Sequence, residues 1–351
     1  MGPPPHDDAH AVLVLDDALW TEAPAEAHTS SPGEYLRIWN APGAYTTMRT
    51  YGRYQVCQLE SHVRRLRRSL AALADATPED FAGATVPGND NEMLALVEGA
   101  LGLALRTCEE RHVRGPNDAL GAKPGGGETM LVVVVSPRVG RGGWRVGVHA
   151  SPLRTPAPDP VALAVMGLPR RVPVAKDARW PKQRAHLEAG KPAGVAEIIL
   201  ADDDGERLLE GLVTNLFVVI ASDADPLATR VQTAPADECL PGLAREAVLD
   251  ACAALGIEVE ERAPRASERH VWREAFVSNT IRLVHPVREI RWPRGLPSDL
   301  ARVGGEVSCE EIGGDGDREV VEGGEIVVRL PDAPGPVTAA ILIRVTESLA
   351  G

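Results

Sequence analysis

A chain of 351 residues with 44% apolar content can bury a core in each of two domains of ordinary size. Its 37 basic and 50 acidic residues leave a formal net charge of −13, which argues against nucleic acid or an anionic membrane as the main partner and favours a small-molecule substrate. Five scattered cysteines (Cys57, Cys108, Cys239, Cys252, Cys309) include no Cys-x-x-Cys pair, so neither a disulfide framework nor a zinc site is expected, and a reducing compartment fits.

The start MGPPPHDDAH is Pro-rich and acidic, unlike a secretory signal, and no run approaches the roughly 18 apolar residues that span a bilayer. A cytoplasmic protein is expected, with a cleaved organelle address left open. Residues 1–33 read as a loose tail around one apolar patch, AVLVLDDALW, a candidate edge strand. GAYTTMRTYGRYQV predicts two short strands about the turn Gly52-Arg53. A helix follows from about Leu59, with Val63, Leu66, Leu70 and Leu73 on one stripe. A second helix is predicted over 91–107, and a glycine-rich loop precedes the strand LVVVVS and its hairpin partner WRVGVHAS. These make a small α/β domain over 34–150.

SPLRTPAPDP has four prolines in ten residues and suits an interdomain linker at 151–160. The large domain, 161–351, opens with the strand VALAVMG and a helix over about 177–189. The strands AEIILAD and RLLEG, joined by DDDG, lead to TNLFVVI. The helix of LPGLAREAVLDACAALG has Pro near its start and Gly after its end, and the strand IEVEERA follows. A short helix around SERHVWR, the strand EAFVS, a strand-rich stretch over 288–334 and a closing helix, VTAAILIRVTESLA, complete the chain.

The stretch RLLEGLVTNLFVVI sets Glu210 among apolar residues, where a carboxylate is costly without a cationic partner. The protonated ring nitrogen of a pyridine cofactor would be such a partner. Pyridoxal phosphate (PLP) needs an acid there to keep its ring an electron sink, a lysine to hold its aldehyde, and a phosphate cup. The chain has candidates for all three.

The order of motifs resembles the fold type IV PLP enzymes: branched-chain aminotransferases, D-amino acid aminotransferases and aminodeoxychorismate lyases. YTTMRTYGRYQVCQLESHVRRLRRS is similar to the family's aromatic, polar and Arg stretch followed by His-x-x-Arg-Leu. LLEGLVTNLFVV resembles its Glu-Gly-x-x-x-Asn-x-Phe strand pair, LPGLAREAV its Gly-Ile-Thr-Arg helix start, and FVSNTIRLVHPV its strand ending in Pro-Val. Closer still in wording are plant class IV aminotransferase-like proteins. The resemblance implies a two-domain α/β (α+β) architecture, with a small α/β domain and a larger, mixed, β-barrel-like domain with helices.

Carried over residue by residue, the resemblance implies Lys176 as the Schiff-base lysine, 34 residues before Glu210, with Lys182 and Lys191 too near the acid. Arg65 of His-x-x-Arg-Leu matches a phosphate ligand, while Arg64, Arg67 and Arg68 read as an exposed basic face. Thr214 and Asn215, the helix start Gly242, Leu243 and Ala244, and Thr280 are further cofactor-binding candidates; free N–H groups at a helix start form an anion cup unaided. Tyr45, Thr47, Arg49, His62, Trp180 and Asn279 are candidates for the substrate pocket.

Three departures from the family pattern stand out. Ala244 replaces the usual Thr, which removes one phosphate hydrogen bond. Arg179 and Trp180 replace the Asn and Tyr that follow the lysine. Thr46 stands where aminotransferases often have Glu, as in some aminodeoxychorismate lyases. The expected activity is amino transfer between an amino acid and a 2-oxo acid. The alternatives are a lyase releasing pyruvate from an aminated chorismate and a catalytically idle binding protein. A homodimer is implied by the resemblance alone, and no nucleic acid, membrane or metal partner is expected.

Overall fold

The protein is described by a computed structural model over residues 11–23, 31–51, 55–113, 128–138, 140–153, 159–221, 229–293, 319–322, 325–330 and 333–350. The chain divides into two compact units, one formed by 1–155 with 175–183 and the other by 156–174 with 184–351. Among the described residues no helix is long and apolar enough to cross a membrane.

The first unit is built on six strands, β1 (Val12–Leu15), β2 (Ala18–Leu19), β3 (Ala44–Tyr51), β4 (Gln55–Val56), β5 (Thr129–Pro137) and β6 (Trp144–Pro152). Their order across the sheet is β2-β1-β6-β5-β3-β4. The valines of β5 are buried on both faces, which is why its sequence is a continuous apolar run with no alternation. One face carries helix α1 (Pro32–Trp39), whose Tyr35, Leu36 and Trp39 pack with Leu13, Tyr45, Val132 and Val134. The other face carries α2 (Leu59–Ala76) and α3 (Asp90–Val113). The stripe predicted for α2 is buried as expected. Within the expected loose tail of 1–33, the described residues 11–23 and 31–33 are more structured: β1 is an interior strand paired along its length with β6, and α1 begins at Pro32 behind the capping hydroxyl of Ser31. The turn expected at Gly52-Arg53 lies outside the described residues.

Lys176 belongs to this first unit. β4 pairs only with the far end of β3, at Thr50 and Tyr51, which leaves the near edge open. Residues 176–178 occupy that edge: Tyr45 N donates to Lys176 O at 2.9 Å, and Ala178 N to Gly43 O at 2.9 Å. Gly43 has φ +149°, and a Cβ there would collide with the Val135 carbonyl. The helix expected over 177–189 is instead two short ones, α4 (Trp180–Gln183) and α5 (Ala185–Ala189). Pro181 has no N–H and is tolerated only in a first helical turn, so no helix runs through it from 177.

The second unit contains β7 (Val161–Val165), β8 (Val195–Ala201), β9 (Leu208–Gly211), β10 (Asn215–Ala221), β11 (Thr229–Thr233), β12 (Glu258–Glu261), β13 (Trp272–Asn279), β14 (Leu283–Trp292), β15 (Glu319–Glu322) and β16 (Glu325–Arg329). Six of them close a ring, in the order β7-β8-β9-β10-β13-β14 and back to β7. Between β9 and β10 the ring closes on one pair, Glu210 with Asn215. The interior holds Leu163, Ile199, Leu216, Val218, Val277 and Val287, with Trp272 stacked on Trp292. On the outside, α6 (Leu243–Leu255) and α7 (Pro336–Ala350) cover Phe217, Val219 and Phe276. The segment SERHVWR forms a tighter 3-10 turn, Ala266–Val271.

Phe217 and Phe276 stack with ring centroids 4.8 Å apart and are fully buried under α6 and α7. Phe217→Ala should destabilise the protein by about 3–5 kcal/mol. The check is the urea midpoint, which should fall with the slope of the transition unchanged.

Candidate active site

In the first unit, alternation along β3 puts Tyr45, Thr47 and Arg49 on one face and Thr46 on the other. Tyr45 is buried, and the Lys176 Nζ lies 4.6 Å from its ring centroid, within cation–π range. Thr47 and Arg49 are half-buried, as is Trp180 at the start of α4. Arg179 is tied away in ion pairs with Asp80 and Asp177.

The opposite face holds a buried chain of polar groups. Arg65 Nη2 donates to Thr46 Oγ1 at 2.6 Å, and Thr46 Oγ1 lies 2.7 Å from His62 Nδ1. With its oxygen accepting from Arg65, the Thr46 hydroxyl donates onward, which makes Nδ1 an acceptor and puts the imidazole proton on Nε2. Burial, then the positive charges of Arg65 and Lys176, hold His62 well below its ordinary pKa, so it is neutral at pH 7. Thr46, the position expected to bear on the reaction, thus has both its hydrogen-bonding roles filled inside the small unit. Ser69, on α2, accepts from the Lys176 backbone N–H at 3.1 Å.

In the second unit, Glu210 is 3% exposed. The cation that satisfies it within the protein is Arg170, which sequence reading missed. Its Nε donates to Oε1 at 2.7 Å and its Nη2 to Oε2 at 3.1 Å, the parallel two-bond geometry of a strong guanidinium–carboxylate pair. Leu240 N donates to Oε2 at 3.0 Å. An ionised carboxylate has about four acceptor positions. Among the described residues three are filled, and the one left is on Oε1.

A bulge precedes this carboxylate. Leu200 pairs with Glu210 but Ala201 pairs with Leu208, so Leu209 is an extra residue. Leu208 packs in the barrel interior, Leu209 packs outside against Ala234, Cys239 and Ala263, and Glu210 stays on the outer face. Asn215, directly across from Glu210, faces the same way, and its Nδ2 donates to Leu240 O at 2.8 Å. Leu240 is therefore gripped at both its N–H and its C=O. Two residues on, Gly242 is the N-cap of α6 with no side chain capping the helix, and the Asn215 Oδ1 lies 2.5 Å from where a Gly242 Cβ would be. Glycine is needed for that approach, and the first-turn N–H groups at Leu243 and Ala244 are left for an anion.

Thr214 is buried, but its hydroxyl donates to Glu197 at 3.3 Å, which makes it a support of the β9–β10 turn. Asn279 Oδ1 accepts from Ile281 N and Arg282 N and so closes the turn after β13; Thr280 is half-buried within that turn. Ser278, not singled out in the sequence, is 1% exposed, and its Oγ has no partner among the described residues. Leaving a hydroxyl buried and unpaired costs about 1–3 kcal/mol. The Cys239 thiol, near Glu210, is pushed up to about 12, mainly by burial, and is inert near neutral pH.

The features of the second unit fit a phosphorylated pyridine ring. The second unit has an acid with one open acceptor position, an uncapped helix start and an orphaned hydroxyl, while the first has a half-buried amine over an aromatic ring. Residues 138–290 match the family model described as amino-transferase class IV; three of the four motifs fall in this stretch, and the one at 45–69 lies outside it. The fold is also that of class IV aminotransferases. A hypothetical aminotransferase from Mycobacterium tuberculosis aligns at 18% identity over 97% of this chain and 99% of its own, with a TM-score of 0.62. For a putative branched-chain amino acid aminotransferase from Thermotoga maritima the values are 19%, 97%, 96% and 0.59. For the Escherichia coli branched-chain enzyme they are 18%, 95%, 92% and 0.57. The mycobacterial protein is also known in a PLP-bound form. No curated protein sequence matches the chain significantly.

Glu197 is held above the usual carboxylate range, chiefly by burial. Such an acid costs stability as pH rises from its unfolded pKa, because the unfolded chain then releases a proton that the folded one retains. Glu197→Gln keeps an acceptor oxygen for the Ile198 N–H and puts an amide NH2 in place of the oxygen that faces the Val213 N–H and the Thr214 hydroxyl. Relative to the wild type, the variant's melting temperature should stand higher at pH 8 than at pH 5. An equal difference at both pH values would show that this carboxyl titrates alike in both states.

Proposed function

We propose that this protein is a PLP-dependent aminotransferase of the class IV type, moving an amino group between an amino acid and a 2-oxo acid. The observation that carries the reading is Glu210, a buried acid with one open acceptor position that shares the Leu240 clamp with the bare start of α6. When bound, PLP supplies an aldehyde that condenses with amines and a cationic ring that takes up the electron pair released at the substrate's alpha carbon.

The chain's residues divide the remaining work. Glu210 Oε1 accepts the hydrogen bond of the ring N–H, and Arg170 with Leu240 N fixes the plane of the carboxylate. Lys176 Nζ is the amine that PLP engages. Displaced by the substrate amine, Nζ would take the proton from the substrate's alpha carbon and deliver it to the aldehyde-derived carbon on the other side of the nitrogen. Arg65 is the first unit's phosphate ligand, and neutral His62 with Thr46 fixes its guanidinium without adding charge. Gly242, Leu243 and Ala244 offer backbone N–H groups to the phosphate. The family resemblance further supports a homodimer as the working form.

Added PLP should turn the purified protein yellow, and an amino donor with 2-oxoglutarate should be consumed. Lys176→Ala should abolish both the yellow absorbance and turnover; if the variant keeps them, the lysine assignment is wrong. Pyruvate release with no oxo-acid acceptor would identify a lyase on the same residues, and a protein that stays colourless with PLP would identify a binding protein.

A further inference from the structure

Opposite residues of an antiparallel pair face the same side of the sheet, and Ser278 on β13 is opposite Asn215 on β10. Two residues along, Phe217 and Phe276 are also opposite each other, and both pack outward under α6 and α7. Asn215 and Ser278 therefore face outward as well, at the end of the barrel where Asn215 meets Gly242, the N-cap of α6. A fully buried hydroxyl with no partner thus faces an uncapped helix start, and both are donors in need of an acceptor. The helix start cannot supply one, since its free groups are N–H. An anion would satisfy both.

The geometry points to Ser278 Oγ as a phosphate donor that replaces, from β13, the hydroxyl which Ala244 lacks on α6. This assignment rests on the PLP reading above and adds a residue to it. Serine on the neighbouring strand offers the phosphate one O–H at a site where the helix gives only backbone N–H groups. It also gives Ala244 a physical account: a hydroxyl on the helix becomes dispensable once the sheet brings one to the same anion.

The test is titration of cofactor-free protein with PLP and, separately, with pyridoxal, which lacks the phosphate, for wild type, Ser278→Ala and Ser278→Ala/Ala244→Thr. Binding is read from absorbance and from the shift in melting temperature. Ser278→Ala should weaken PLP binding about tenfold or more and leave pyridoxal binding unchanged. Without ligand it should melt no lower than wild type, since the hydroxyl removed had no partner. Restoring a hydroxyl on the helix with Ala244→Thr should recover most of the lost PLP affinity. Equal PLP affinity in wild type and Ser278→Ala would overturn the assignment. So would a parallel loss of PLP and pyridoxal binding, or a lower melting temperature without ligand, each of which marks a structural serine. If the wild type shows neither absorbance change nor melting shift with PLP, the PLP reading itself falls and this assignment with it.

Discussion

The second unit depends on what Glu210 and Asn215 do together. They are the single pair through which β9 and β10 close the strand ring, and their side chains hold Leu240 by its N–H and its carbonyl. Closing the barrel and placing the start of α6 are therefore one event. The Arg170 fork makes it tolerable to spend a buried carboxylate on this, because a lone charge at 3% exposure would be strongly unfavourable. What remains of the carboxylate's acceptor capacity is aimed by the barrel itself, which is the kind of rigid support a catalytic group needs.

The first unit solves a related problem by other means. Lys176 is carried on a short segment that completes the open edge of β3, held by backbone hydrogen bonds to Gly43 and Tyr45 and by the Ser69 hydroxyl. Its amine is left half-buried against an aromatic face, near a histidine kept neutral and an arginine that stays charged. The polar chain Arg65–Thr46–His62 lies on the reverse of the same strand, so β3 positions both sets of groups through its alternation.

Much of this was legible in the residues. The apolar run of β5 and the stripe of α2 gave their elements away, and the motif order pointed to the family. Glu210 stood out because an acid between Leu209 and the LFVVI run demands an explanation. Its protein partner did not stand out: Arg170 lies 40 residues upstream beside Arg171, and nothing local separates the buried arginine from the exposed one. Thr214 and Asn215 look interchangeable as neighbouring polar residues, yet one hydroxyl turns to Glu197 and the other side chain to Leu240. The helix over 177–189 was overcalled because Pro181 was weighed less than its surroundings, and β1 was undercalled because Pro, Asp and Glu around it dominate the composition. Such contacts are decided by which strands meet, and a single sequence shows that only weakly.

The surplus residue at Leu209 has a consequence for how this scaffold can change over time. Leu208 faces in while Leu209 and Glu210 both face out, so deleting Leu209 would restore plain alternation and leave the acid outward, opposite Leu200, at the loss of the side chain packed on Ala234, Cys239 and Ala263. The bulge thus absorbs one residue without turning the acid, so at this point the strand's length and the acid's direction are uncoupled.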